Sequence, residues 1–217
     1  MKLLSAWPTK PSRSFCVRSV AILAFGVCSF MTNVCASAQS NALTLPRNLA
    51  ALVEESHTVV QGWVTAVALE PHVKLNNLMT VVVTIQVEET LKGDAAKTFS
   101  FSQAVIDRRD LQQRMGYRVG QHLLLILIKP SLYGLSSPAG MEQGRFRIES
   151  GGDGKLLATN GYGNVGVFRG LDSQLQSRRV QLSPEVQAMI TKPAVGPISL
   201  EQLKQLIRTI AGGTQRR

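Results

Sequence analysis

Cysteine is confined to the first 35 residues of this 217-residue chain, at Cys16, Cys28 and Cys35. A form lacking its first 38 residues therefore carries no disulfide, no thiol nucleophile and no cysteine-ligated zinc. Histidine is almost as scarce: His57, His72 and His122 are the only three, spaced too widely for a compact ligand motif such as His-x-x-x-His. Aromatic residues make up 6% of the chain, which disfavours single-stranded nucleic acid as a partner, because stacking on aromatics supplies much of that affinity. Long apolar runs are also missing. The run Val20 to Val27 is soon interrupted by Ser29, Thr32 and Asn33, well short of the roughly 20 residues that span a bilayer.

What precedes that run has the order of a secretory leader. Lys2, Lys10, Arg13 and Arg18 come before it, no acidic residue accompanies them, and Ala36-Ser37-Ala38 supplies small residues for a signal peptidase. The expectation is a cleaved signal over residues 1–38, with cleavage directed by Ala36 and Ala38 and export to the periplasm or the outside. No membrane span is expected after cleavage. Four of the 24 basic residues lie in that segment, leaving 20 against 14 acidic residues, a moderate net charge of +6. That balance suits a solvated surface of mixed charge.

Periodicity divides the remainder. Pro46 to Glu55 reads as a short helix with Leu49, Leu52 and Val53 on one stripe. From Thr58 the period becomes two, and Met79 to Leu91 is rich in β-branched residues that fit a pleated surface. Lys92-Gly93-Asp94 marks a turn and Thr98 to Val105 the next strand. His122 to Ile128 is apolar after its histidine, as in a strand covered on both faces, so His122 is expected to be a packed or hydrogen-bonded boundary residue. Gly144 to Ile148 and Lys155 to Thr159 flank a Gly-rich turn and read as a hairpin. Ser183-Pro184-Glu185 starts a helix, and Ser199 with Gln202 forms a capping box before Leu200, Leu203, Ile207 and Ile210.

The motifs that suggest chemistry lack their context. Gly161-Tyr162-Gly163-Asn164-Val165-Gly166 matches the dinucleotide pattern, yet a polar segment leads into it and no long helix is expected after it. Gly151-Gly152-Asp153-Gly154 offers one carboxylate, whereas calcium takes about six to eight oxygens. No Gly-x-Ser-x-Gly elbow occurs, and the adjacent pairs Glu54-Glu55 and Glu88-Glu89 are expected to point apart. No cofactor or metal is expected. The polar segment Ile106 to Gly120 is the candidate binding loop, with Arg108, Arg109 and Arg114 as its candidate contacts beside Asp107 and Asp110.

Several stretches together resemble an uncharacterised group of exported bacterial domains. Ser56 to Val64 (SHTVVQGWV), Val87 to Gly93 (VEETLKG), Tyr117 to Leu125 (YRVGQHLLL) and Gly144-Arg145-Phe146 follow the patterns ADxVVxGxV, VEExLKG, FxVGExxLLFL and GxF, with His57 where the aspartate usually stands. That group is similar in layout to the netrin-like domain of tissue inhibitors of metalloproteinases. The resemblance implies a mainly β fold with flanking helices: a small five-stranded OB-like barrel over 39–170, with its N-terminal helix, and a helical extension over 171–217. The inhibitors' zinc-chelating N-terminal cysteine has no counterpart here. The expected function is a non-enzymatic exported module binding an unknown protein or cell-envelope component. The alternatives are a secreted protease inhibitor acting without cysteine chelation, and a hydrolase whose catalytic residues are dispersed.

Overall fold

The computed structural model describes residues 45–192 and 195–214. The expected leader, with Ala36 and Ala38, lies outside the described residues. The first element is helix α1, Leu49–Glu55, which begins one turn later than the sequence suggests because Asn48, not Pro46, caps it: Asn48 Oδ1 accepts from Ala51 N at 3.0 Å. Strands β1 (Ser56–Pro71), β2 (Met79–Lys92) and β3 (Thr98–Val105) follow. The polar segment expected to be a loop contains a short helix, α2 (Arg108–Gln113), and a 3-10 turn over Arg114–Gly116. Then come β4 (His122–Ile128), β5 (Arg145–Ser150) and β6 (Leu156–Asn160), helices α3 (Leu171–Ser177) and α4 (Pro184–Thr191), the short β7 (Ile198–Ser199) and α5 (Leu200–Thr214).

All strands join one antiparallel sheet in the order β3-β2-β1-β4-β5-β6-β7. The mainly β architecture with flanking helices is as expected, but the sheet has seven strands where five were expected. β6 is the second half of the hairpin read from Lys155 to Thr159, and β7 is a strand of only two residues that no periodicity could announce.

Alternation along β4 explains how one run of leucine and isoleucine serves two cores. Leu123, Leu125 and Leu127 face Val60, Val64, Val81, Val83, Ile85 and Phe101 on one side of the sheet. Leu124 and Ile126 face Leu49, Leu52, Phe146 and the apolar faces of α3, α4 and α5 on the other. Each buried aliphatic side chain contributes about 1.5–3 kcal/mol relative to exposure, so β4 anchors both layers. Helices α3 to α5 share that second core with α1. Among the described residues no helix is long and apolar enough to cross a membrane.

Three irregularities in the β1–β2 pairing bend the sheet around the first core. Gly62 sits at one of them, where a Cβ would lie 2.2 Å from Gln86 O. On the far side, segment 135–138 makes single bridges to both strands that border it, Ser102 to Leu135 and Leu127 to Pro138. Ser136 N donates to Ser102 O at 2.8 Å and Ile128 N to Ser137 O at 3.0 Å.

Two motif stretches prove to be fold-making. Lys92 Nζ donates to Val53 O (2.5 Å) and Ser56 O (2.6 Å), closing the C-terminal end of α1. Gly93 beside it has φ +76° and passes so close to His57 O that a Cβ would lie 2.5 Å away. In Gly144-Arg145-Phe146, Arg145 Nη1 donates to Met115 O at 2.5 Å and its guanidinium lies 4.5 Å from the Tyr117 ring centre. Phe146 is fully buried in the second core.

Candidate functional site

On the face of the sheet that carries Val59 and Leu124, but beyond the cover of the helices, four polar or aromatic side chains converge. Gln61 and Trp63 are two apart on β1 and so share a face. His122 opens β4 directly opposite Trp63. Their rings stack with centroids 4.3 Å apart and planes 14° from parallel.

Glu88 joins them from β2 because of a bulge. Gln61 pairs with Glu89 and Gly62 with Val87, so Glu88 is an extra residue against β1 and the strict alternation breaks there. As a result Glu88 and Glu89, expected to point apart, serve the same side of the sheet: Glu88 reaches Gln61, Trp63 and His122, while Glu89 pairs with Lys204 and Arg208 of α5. Lys204, itself nearly buried, also pairs with Glu201 at 2.6 Å. This second cluster fastens α5 onto β2.

The carboxylate of Glu88 accepts from three nitrogen donors. Its Oε1 accepts from Trp63 Nε1 at 2.8 Å, and its Oε2 accepts from Gln61 Nε2 and from His122 Nε2, each at 2.7 Å. An ionised carboxylate only accepts, which fixes the proton of His122 on Nε2 and turns the amide nitrogen of Gln61 toward it. The 3.2 Å approach of Gln61 Nε2 to His122 Nε2 is then two donors meeting at one oxygen, not a bond between them. Burial pushes the Glu88 carboxyl upward, but the bonds from Trp63 and His122, the charge of His122 and the bond from Gln61 outweigh it and hold the group below its ordinary value.

Turning Gln61 this way leaves its carbonyl Oε1 buried, and it is the buried side-chain polar atom without a partner among the described residues. The cluster has two buried members, Gln61 and His122, and two that reach solvent, Trp63 at 43% and the Glu88 side chain at 41%. It presents a fixed indole and the edge of a carboxylate. With three N–H donors on it and its value held below the ordinary one, that carboxyl is a poor proton acceptor near neutral pH.

The arginines singled out from sequence sit elsewhere. Arg108 opens α2, Arg109 is exposed on it, and Arg114 is exposed at its C-cap with φ +50°. Among the described residues no ion pair joins Arg109 or Arg114 to a carboxylate. Asp107 caps the helix by accepting from Arg109 N at 2.7 Å. The Asp110 carboxyl is raised by burial and by the charge of Asp107, against the pull of Arg145. Leu111, Met115 and Tyr117 pack on the first core, so this segment closes one end of that core.

His122 is packed and hydrogen-bonded, as its place at the head of a buried strand suggests. His57 is exposed, and His72 stitches a turn, its Nδ1 accepting from Lys74 N and Leu75 N while Nε2 donates to Tyr133 O at 3.0 Å. The glycine-rich hexapeptide forms a run of turns between β6 and α3, locked by Asn160 and Asn164. Each donates its backbone N–H to the other's Oδ1, at 2.9 and 2.8 Å. Helix α3 begins only at Leu171, capped by Gly170, so none of the hexapeptide's own glycines opens directly into a helix. A cleft of about 540 Å³ lies beside this turn, lined in part by Phe168, Arg169, Ile190 and Lys192. No buried polar atom without a partner faces it among the described residues, which leaves the Trp63 cluster the better candidate. Gly151 to Gly154 is the β5–β6 hairpin turn, with Gly151 N donating to Lys155 O at 2.7 Å.

No protein family, curated protein or solved structure matches the chain.

Proposed function

We propose that this protein is an exported, non-enzymatic binding module that holds a protein or cell-envelope component on the outer face of β1, β2 and β3, with Trp63 as the anchor. The observation that carries the reading is a half-exposed tryptophan made rigid on a sheet by a stacked histidine and a bonded carboxylate. Tryptophan is enriched among the residues that dominate binding energy, and fixing it in advance lowers the entropy lost on association. The moderate net charge and the leader-like N-terminal pattern agree with work in the cell envelope.

The small OB-like barrel is part of the same proposal. Its support is the pair of bridges from segment 135–138 to β3 and β4, which border the first core on the side that β1 and β2 do not. The resemblance to exported bacterial domains is carried by Ser56 to Val64, Val87 to Gly93, Tyr117 to Leu125 and Gly144 to Phe146. Gln61, Trp63 and His122 fall at open positions of those patterns, so the resemblance supports the scaffold and the site is argued from geometry.

The test is capture by an isolated envelope fraction, comparing the wild-type chain with Trp63→Ala. Loss of capture is expected with the variant. Equal capture of both proteins overturns the reading.

A further inference from the structure

Resting on that reading, we propose that the Trp63 face recognises a neutral glycan chain. One face of the indole is covered by His122 at 4.3 Å, so the other offers a flat apolar platform for a single ring, the shape met by the C–H face of a pyranose. Around it the sheet presents hydroxyls and an amide. On β2, positions 84 and 86 lie on the face opposite the buried Val83 and Ile85; Gln86 pairs with Trp63 and is exposed. On β3, Ser100 pairs with Thr84, and their hydroxyls are 2.9 Å apart.

Charge narrows the class. Glu88 is the carboxylate of this cluster, and its lowered value keeps it ionised, so a polyanion meets repulsion at the anchor. A cationic ligand gains little, because the carboxylate already takes three N–H donors. Glu88 Oε1 takes one donor, from Trp63, and on a part-exposed side chain keeps room to accept a hydroxyl. Ring platform, neutral hydroxyl and amide surround, and a single acceptor together match a neutral sugar.

Gln61 adds a second line of support. Its unpaired buried carbonyl is a cost to the fold, yet its amide holds Glu88 at the indole N–H. Such a cost is expected where a side chain serves a site instead of packing.

Trp7 and Trp63 are the two tryptophans of the chain, so full-length protein carrying Trp7→Phe reports Trp63 alone. Titration of its emission with two neutral probes, a β-1,4-linked N-acetylglucosamine hexamer and cellohexaose, is expected to give a saturable change with at least one of them. Poly-lysine and polygalacturonate are expected to give none. Trp63→Ala, followed by calorimetry, should weaken binding by at least about tenfold. Ser100→Arg, on the exposed face and outside the cluster, should weaken it with an unchanged fold by circular dichroism. Absence of any response to neutral oligosaccharides up to millimolar concentration overturns the glycan assignment, as does a response to poly-lysine alone. If envelope capture still depends on Trp63 in that case, the binding module stands and only the ligand class is wrong; if capture is also indifferent to Trp63→Ala, both fall.

Discussion

Trp63 and His122 face each other across the β1–β4 pairing with their rings 4.3 Å apart, and the same histidine donates to Glu88 at 2.7 Å. His122 thus holds the indole by its face while Glu88 holds it by its N–H. Replacing His122 with alanine removes the stack and one of the three donors to Glu88, leaving the Trp63–Glu88 bond in place. The stack is worth about 0.5–1.5 kcal/mol and the charge-assisted bond about 1.5–3 kcal/mol. A loss within their combined range is expected in urea unfolding, together with stronger acrylamide quenching of Trp63. Unchanged quenching would show that the indole is fixed by something else.

Gln61→Met should have little effect on stability. It removes a donor to Glu88 but also deletes the unpaired carbonyl, and the two changes, each about 1–3 kcal/mol, oppose one another. The visible effect is expected at Glu88, whose carboxyl should titrate at higher pH by carbon-13 NMR once one of its three donors is gone.

The acid limb of stability is expected to belong to the two adjacent glutamates. At Glu89, as at Glu88, burial works upward but is outweighed, here by the bonds and charges of Arg208 and Lys204, so both carboxyls are held below the ordinary 4.5. A lowered folded-state value means the contribution is complete above 4.5 and is lost as pH falls through the folded values. Glu89→Gln should flatten this limb and loosen α5, read as faster amide exchange along Leu200–Thr214.

Alkali acts through Tyr117. Burial drives its phenol from 10.0 up to about 12, against a downward pull from Arg145. Here the fold keeps the proton that the unfolded chain releases, so stability is complete below 10.0 and falls as pH rises toward 12, by up to about 3 kcal/mol. Lys204 adds a loss of the same sign, because Glu201 and Glu89 overcome its burial and raise it. Tyr117→Phe should remove most of the alkaline limb while leaving Gln103 Oε1 without its 3.3 Å donor, measured as unfolding midpoints at several pH values.

Lys92 and Gly93 should tolerate almost nothing. Lys92→Met takes a donor from Ser56 O and from Val53 O, the latter keeping Ser56 Oγ at 2.7 Å, a loss of about 1–3 kcal/mol. Gly93→Ala adds a Cβ 2.5 Å from His57 O at a positive φ, where strain alone costs about 1–3 kcal/mol. Urea midpoints check both; a neutral Gly93→Ala would mean that the turn shifts freely.

Much of this fold was legible because its signals are local. The period-two runs from Thr58 and Met79, the apolar run after His122, the hairpin over Gly151 to Gly154 and the caps Ser183 and Ser199 each act over a few residues, and each element formed. Helix α2 could have been found: Asp107 before Arg108 to Gln113 is a cap signal, masked by charge. The site was not legible, because Gln61 and Trp63 reach Glu88 and His122 across 25 to 61 positions and meet them only through strand pairing. A bulge on β2 turns Glu88 toward them, and no pattern in the sequence marks its position. Residues chosen for charge, Arg109 and Arg114, proved to stand on the segment that closes the first core.

The most direct measurement is acrylamide quenching of Trp63 in the Trp7→Phe chain, with and without isolated envelope material. The outward face of the indole is predicted to be the contact, so quenching should fall when that material is bound and recover when it is removed. Quenching that stays the same while the protein is demonstrably bound would place the contact elsewhere on the molecule and contradict the account.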